Sequence, residues 1–339
     1  MLDKYEFWCQ LRLDSYNSQI LFNLYYSATT ENAMPDIKIT RFVPLFILNI
    51  FCALLIGQNA FAEEEITFKT TKIVDGLYMI EGVGGFAGGN VVVSTGADGT
   101  VLVDDAIPSM LDKLNVAVKA VTDRPLDFLI NTHLHQDHTG SNTYFGEEGA
   151  HIVAHANVRD RLKVMEVKDK EGNKALLPSS ALPVISFEHT ISFHLNGGHI
   201  QVLHLEKAHT DGDSVVHFED ANVIHTGDVL FSGLYPFIDL DNGGSVDGYI
   251  AAQQALYTLA NKETVIIPGH GPVSDKEALK SSYSMLKKAK KAVAKLQKKG
   301  MTEDEVVAAN PLQKFDKDWS WGFINTEKMT RTLYKDMLN

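Results

Sequence analysis

Downstream of residue 62 the chain alternates apolar, β-branched runs with tight turns marked by glycine and aspartate. "KIVDGLYMIEG", "NVVVSTGADGTVLVDD" and "HIQVLHLE" predict strands, the middle one folded at Gly96-Ala97-Asp98-Gly99, and "DFLINTH" and "HIVAH" predict short buried strands. Helical stripes fall between them. "SMLDKLNVAVKAV" predicts a helix with Ser109 as its N-cap, "ANVRDRL" opens another, and "VDGYIAAQQALYTLA" predicts a third with Asp247 as its cap. In "LKKAKKAVAKLQKKG", Leu286, Ala289, Val293 and Leu296 share one stripe, leaving a solvated lysine face or a contact for anionic lipid. "TEDE" from Thr302 reads as a capping box with Glu305. Hairpins interleaved with helices imply an α/β fold of sheets covered by helices. No linker interrupts residues 63–339, so one domain is expected there.

The upstream part reads differently. From Met34, Lys38 and Arg41 precede an apolar stretch from Phe42 to Gly57 that ends in Ala60-Phe61-Ala62, the pattern of a secretory signal with cleavage after Ala62. Pro44 and Asn49 interrupt the stretch, which falls short of the roughly 20 residues of a membrane span. Residues 1–33 are then an upstream extension outside the fold, 34–62 the signal, and 63–339 a periplasmic or secreted domain without stable membrane insertion. Both cysteines, Cys9 and Cys52, lie upstream of the cleavage point, so a metal site in the domain must be built from nitrogen and oxygen. The formal charge of −12 gives no broad cationic footprint for nucleic acid, which is not an expected partner.

Candidate chemistry concentrates in "NTHLHQDHTGSN", where His133, His135, Asp137 and His138 crowd together after an apolar run. Mutual repulsion penalises protonating such neighbours, and a bound cation such as zinc removes that penalty by holding the imidazoles neutral. Residues two apart in an extended segment point the same way, so His133 and His135 can share one ion, while Asp137 and His138, in the following turn, can face a second. Other strand ends supply more ligand types: His209 in "LEKAHTDGDS", Asp228 in "NVIHTGDVLF" and His270 in "TVIIPGHGPVSD". Adjacent glycines allow close backbone approach at each.

His133-Leu-His135-Gln-Asp137-His138, followed in order by His209, the Thr-Gly-Asp ending in Asp228 and Pro-Gly-His270, resembles the metallo-β-lactamase superfamily over nearly the whole of residues 63–339. The resemblance implies a four-layer αββα sandwich with the site at the sheet edges. It implies two Zn(2+) ions, the first held by His133, His135 and His209, the second by Asp137, His138 and His270, with Asp228 bridging. The implied chemistry is hydrolysis by a metal-bound hydroxide at a carbonyl centre, with Asp137 orienting the water and passing its proton to the leaving group. The partner implied is a small-molecule substrate, with a β-lactam or related cyclic amide or ester the first expectation and a glyoxalase II-like thioester or a lactone the second.

Departures from the family's better-known branches bear on that choice. The main zinc β-lactamases carry cysteine at the position of Asp228 and a lysine soon after, where this chain has Val229-Leu230-Phe231; the Gly-Cys-Gly-Arg segment of glyoxalase II is replaced by "FSGLYPFIDLDNGGS". Diiron redox relatives carry glutamate at the position of His135 and a flavin domain, and a non-catalytic module would have lost ligands; none of this applies here. "GVGGFAGGN" resembles the glycine-rich hairpin that caps the family's site, with Phe86 as an apolar contact, or is a structural turn. Asn142 and Tyr235 can donate to substrate or oxyanion, or support their loops. Asp104 and Asp105 read as supporting groups, and His151, His155, His204 and His225 as structural or solvent-facing, with His225 a candidate support for Asp228.

Overall fold

"KIVDGLYMIEG" does not form one strand. Asp75 and Gly76 turn it into a hairpin of β1 (Thr67–Val74) and β2 (Leu77–Val83), with Val74 opposite Leu77. An Asp-Gly pair between apolar runs is a short-range hairpin signal that outweighs the continuity of the pattern. The computed structural model describes residues 65–168 and 172–338, which belong to one compact unit, Ala62–Asn339. The upstream extension, the signal segment with its cleavage point, and both cysteines lie outside the described residues.

Sheet one continues with β3 (Val91–Thr95), β4 (Thr100–Val103), β5 (Phe128–Ile130), β6 (His151–His155) and, beyond a small hairpin of β7 (Glu166–Lys168) and β8 (Lys174–Leu176), β9 (Ile185–Phe187). Its first four strands pair antiparallel and the rest parallel. Sheet two contains β10 (Thr190–Leu195), β11 (Gly198–His204), β12 (Ser214–Phe218), β13 (Val223–His225) and β14 (Val265–Ile267), antiparallel except for β13 with β14.

The continuous apolar runs arise because both faces of each sheet are covered. Val92, Val101, Val103, Ile130, Ile200, Val202, Val216 and Ile267 fill the space between the sheets. Their neighbours Val91, Val93, Leu102 and Leu129 point outward against α1 (Leu111–Lys119) and Phe145 of α3 (Asn142–Glu147), a helix that follows the short α2 (Gln136–Thr139). On the other side Val215, Ile224 and Ile266 meet a helical layer. That layer comes after α4 (Ala156–Val164) and comprises α5 (Val246–Leu259), α6 (Lys276–Gln297), α7 (Glu303–Ala308), α8 (Gln313–Trp319) and α9 (Thr326–Asp336). The result is the expected αββα sandwich. Among the described residues, no helix is long and apolar enough to cross a membrane.

Two caps differ from expectation. Pro108, with its φ already near helical values, starts a 3-10 turn before α1, so Ser109 lies inside that turn and no side chain caps α1. At α5 the cap is Ser245, whose Oγ accepts from Gly248 N at 3.0 Å. Asp247 sits in the first turn instead, where its charge suits the helix dipole and pairs with Lys290 at 2.7 Å. The capping box of Thr302 and Glu305 is present. In α6, Leu286, Ala289 and Val293 are buried and Leu296 packs partly buried beside them.

Candidate metal centre

The sandwich gathers chain ends at one edge. β4 runs into Asp104 and Asp105, β5 into His133 and His135, β13 into Asp228 and β14 into His270; the turn between β11 and β12 adds His209. Parallel strands bring their carboxyl ends to the same edge, the usual place for a site in such sheets. All seven ligand-type residues named from the sequence come together there. His133, His135, His209 and Asp228 offer one ligand atom each within 4.8 Å of one another, and so do Asp137, His138 and His270.

Hydrogen bonds behind the imidazoles decide which nitrogen each presents. His138 Nδ1 donates to Asp104 Oδ2 at 2.7 Å, His209 Nδ1 to the Phe237 carbonyl at 2.8 Å, and His135 Nε2 to Asp239 Oδ2 at 2.8 Å. The Thr132 hydroxyl donates to Asp104 Oδ2 at 2.8 Å and so accepts from His133 Nδ1 at 3.1 Å. With their outer nitrogens engaged, His133, His135 and His209 turn a bare lone pair inward, whereas in His138 burial is outweighed by Asp228, Asp137 and Asp104, which raise its pKa well above the ordinary value, so a cation must displace its inner proton. Inward nitrogens face each other: His135 Nδ1 is 3.1 Å from His133 Nε2 and 2.9 Å from His209 Nε2. Lone pairs at that distance repel unless a cation lies among them. Asp228 Oδ1 is buried and has no well-directed hydrogen bond, although His138 Nε2 lies 3.1 Å away. This donor set, neutral imidazole plus carboxylate, therefore fits a divalent metal, with no thiolate involved.

For two of the rings the electrostatics agree. Burial and the neighbouring imidazoles hold His133 well below its ordinary value, and burial takes His209 down to about 4, so both are neutral near pH 7. Burial also opposes charge on Asp228, but His270, His138 and His133 outweigh it and keep its carboxyl well below the usual range. For His270 burial is again outweighed, here by Asp228 and Asp137, and the pKa stands at about 9.

A pH experiment follows. Because the folded pKa of His270 lies above its ordinary 6.5, the stabilisation it gives the metal-free protein is complete below about pH 6.5 and is lost as pH rises through about 9. A cation must displace that proton. From pH 7 to 9 the metal-free protein is expected to lose thermal stability while affinity for a divalent cation rises. Calorimetric titrations in buffers of different protonation enthalpy should detect proton release at pH 7 that declines as pH rises past about 9. Buffer-independent heats at pH 7 would contradict this.

Glycines make room for the ligands. A Cβ on Gly269 would lie 2.1 Å from Asp228 Oδ1, and one on Gly89 2.1 Å from His138 Cε1. Asn90 joins the glycine-rich segment to the His270 loop: its backbone N–H donates to Gly269 O at 2.7 Å and its amide to Pro268 O and Gly271 O, both at 2.9 Å. His225 is fully buried, donating to Asn90 O at 3.0 Å and accepting from Gly227 N at 3.2 Å, which fixes the turn that carries Asp228.

Asp104 is the support with the clearest test. Its carboxylate accepts from Thr132 N, Thr132 Oγ1 and His138 Nδ1. In Asp104→Asn the amide nitrogen faces either Thr132 N or His138 Nδ1, a donor against a donor in both cases, so the anchor behind His133 and His138 is loosened. Metal affinity is expected to fall about 10- to 100-fold with the circular dichroism unchanged, measured by chelator competition.

The residues expected on the substrate side separate. Phe86 is 56% exposed and stacks on His270 with ring centroids 6.0 Å apart. Asn142 is buried, its amide donating to Asn131 Oδ1 and the Ala181 carbonyl and its oxygen accepting from Asn131 Nδ2. It braces the loop behind the ligands and has no group left for a substrate. Tyr235 is wholly enclosed in the main hydrophobic cluster, its backbone tied to Trp319 and Trp321. Sequence reasoning missed Asp239 and Asn90. Asp239 lay within "FIDLDNGGS", a segment noticed for its departure from glyoxalase II but not for this carboxylate.

The profile of the metallo-beta-lactamase superfamily matches residues 84–270, from the glycine-rich hairpin to the last histidine. The chain belongs to the metallo-β-lactamase superfamily. A relative within reach of sequence comparison is the probable metallo-hydrolase YqgX of Bacillus subtilis (strain 168), 28% identical over 172 residues, or 48% of this chain and 76% of that protein. Among solved structures, the metallo-beta-lactamase from Pontibacter korlensis superposes with a TM-score of 0.53 at 18% identity, covering 65% of this chain and 99% of that one. VMB-1, solved at pH 5.5, gives 0.53 at 16%, covering 66% and 98%. At such identities these two likenesses establish the superfamily's fold alone.

Proposed function

We propose that this chain is an exported hydrolase that holds two zinc ions and opens a carbonyl-centred bond, with a β-lactam or related cyclic amide or ester as its substrate. The observation that carries the reading is the placement of Asp228. One oxygen, Oδ2, lies 3.5 Å from His209 Nε2 and 3.8 Å from His133 Nε2; the other, Oδ1, lies 3.1 Å from His138 Nε2 and 3.5 Å from His270 Nε2. A single carboxylate addressing both ligand groups suits a shared, two-cation centre. The relative's name, a probable metallo-hydrolase, supports the reaction class.

When bound, the cations supply Lewis acidity and make water acidic enough to act near neutral pH. The chain's own residues do the rest. His133, His135, His138, His209 and His270 hold the centre with their inward nitrogens, and Asp137, 20% exposed in its side chain against 4% for Asp228, is the acid that a substrate and water can reach. It takes a proton from the attacking water and delivers it to the leaving atom, so that water's oxygen joins the carbonyl carbon and the bond to nitrogen, oxygen or sulfur breaks.

A second reading, a thioesterase or lactonase of the glyoxalase II kind, is favoured by aspartate rather than cysteine at position 228. Turnover of the zinc-loaded protein on a chromogenic cephalosporin, a lactone and a glutathione thioester separates the two. Hydrolysis of the thioester alone would reverse the order, and elemental analysis showing iron would remove zinc from both. Export is tested by N-terminal sequencing of secreted protein, expected to begin at Glu63.

A further inference from the structure

The mouth of the centre is completed by residues downstream of the segment that matches the superfamily. The Phe237 ring lies 5.6 Å from both His135 and His209, and Phe323 meets Phe237 edge-on at 5.5 Å. Trp321 lies 5.7 Å from Phe323 and 6.0 Å from Phe231, which stacks on His270 at 5.1 Å. Aromatic rings therefore run unbroken from one ligand group to the other. Phe323, like Phe86, stays about half exposed, which leaves apolar surface beside a polar centre for a ligand to cover.

Lys328, in the first turn of α9, places its ammonium 3.6 Å from the Phe323 ring centroid and 5.5 Å from that of Phe237. A single phenyl ring separates it from His135 and His209. Among the described residues no carboxylate pairs with it, although the other cations of α9 are engaged: Arg331 binds Glu303, Asp304 and Glu327, and Lys335 approaches Glu303 at 3.9 Å. Lys328 is half-buried, and that burial lowers its pKa. A cation–π contact offsets part of the cost of a half-buried ammonium, and an anion would offset more.

We propose that Phe323 and Lys328 form the substrate-selecting wall of this site, which takes a molecule bearing a carboxylate for Lys328 and an apolar or aromatic group for the space beside Phe323. This rests on the hydrolase reading above. The carboxylate is a part of the substrate that does not react, so its contact acts in the ground state and the transition state alike and shows in KM rather than kcat.

The test uses the zinc-loaded protein and a chromogenic cephalosporin beside its methyl ester. Lys328→Met is expected to raise KM for the free acid about tenfold, leaving kcat and the ester unchanged. Lys328→Arg should restore the acid, and Phe323→Ala should weaken both substrates. Equal KM values for acid and ester in the unmutated protein, or equal changes for both in Lys328→Met, overturn the proposal. Calorimetric binding of phenylacetate against phenylacetamide keeps the question separate from hydrolysis. If no carbonyl substrate turns over, the hydrolase reading fails, while a preference for phenylacetate that Lys328→Met abolishes still upholds the wall. No preference, or one that survives Lys328→Met, overturns it.

Discussion

Asp228→Ala is expected to abolish turnover and to reduce tightly bound divalent metal from about two ions per chain to about one or fewer. The two oxygens of Asp228 face opposite groups of imidazoles, so this one side chain contributes to both. In the proposed two-cation centre, close cations would repel strongly in a buried place, and the negative charge of Asp228 would lower that repulsion. Alanine removes the charge; asparagine would keep the shape and still lose it. Asp228→Asn should therefore resemble Asp228→Ala, although its fold is disturbed less. Elemental analysis after dialysis, together with turnover, checks this. Full metal content with near-normal turnover in either variant would remove the bridging role.

Asp137→Asn is expected to cost about 10²- to 10⁴-fold in kcat while most of the metal stays bound. Asp137 Oδ2 lies 3.2 Å from His270 Nε2 and 3.5 Å from His138 Nε2. Burial opposes its charge, but His138 and His270 outweigh burial and hold the carboxyl well below its ordinary value, so it is ionised and able to accept a proton at neutral pH. Asparagine preserves an oxygen ligand and removes the proton acceptor. The comparison with Asp228→Ala is informative because the two variants should lose activity for different reasons, one with metal and one without. Retained turnover in Asp137→Asn would assign proton transfer elsewhere.

Much of the layer structure was legible because buried strands leave a local mark. Val91 to Val93 and Val101 to Val103 are apolar at successive positions since the two faces of each strand are covered by different layers. The ligand types were legible for a similar reason: four of them crowd into one short segment, and the others each follow an apolar run. The misplaced caps at Ser109 and Asp247 reflect competition between near neighbours, where Pro108 and Ser245 had the better geometry. Asn142 and Tyr235 stand near ligands in the chain, yet nearness along the chain does not set direction, and both turn into the interior.

By itself the sequence determined the alternation that makes two covered sheets, the residue types able to hold a cation without sulfur, and the order in which strand ends deliver them. Those are short-range facts, carried by spacing and side-chain chemistry. Only the tertiary structure decided which imidazole nitrogen faces inward, that Asp239 supports His135, that Asn90 ties one sheet's loop to the other's, and that Lys328 stands beside the mouth. These depend on partners brought together from opposite sheets and from the last helix. Hydrogen-bond direction and unpaired charge belong to such meetings and leave no periodic trace in the chain.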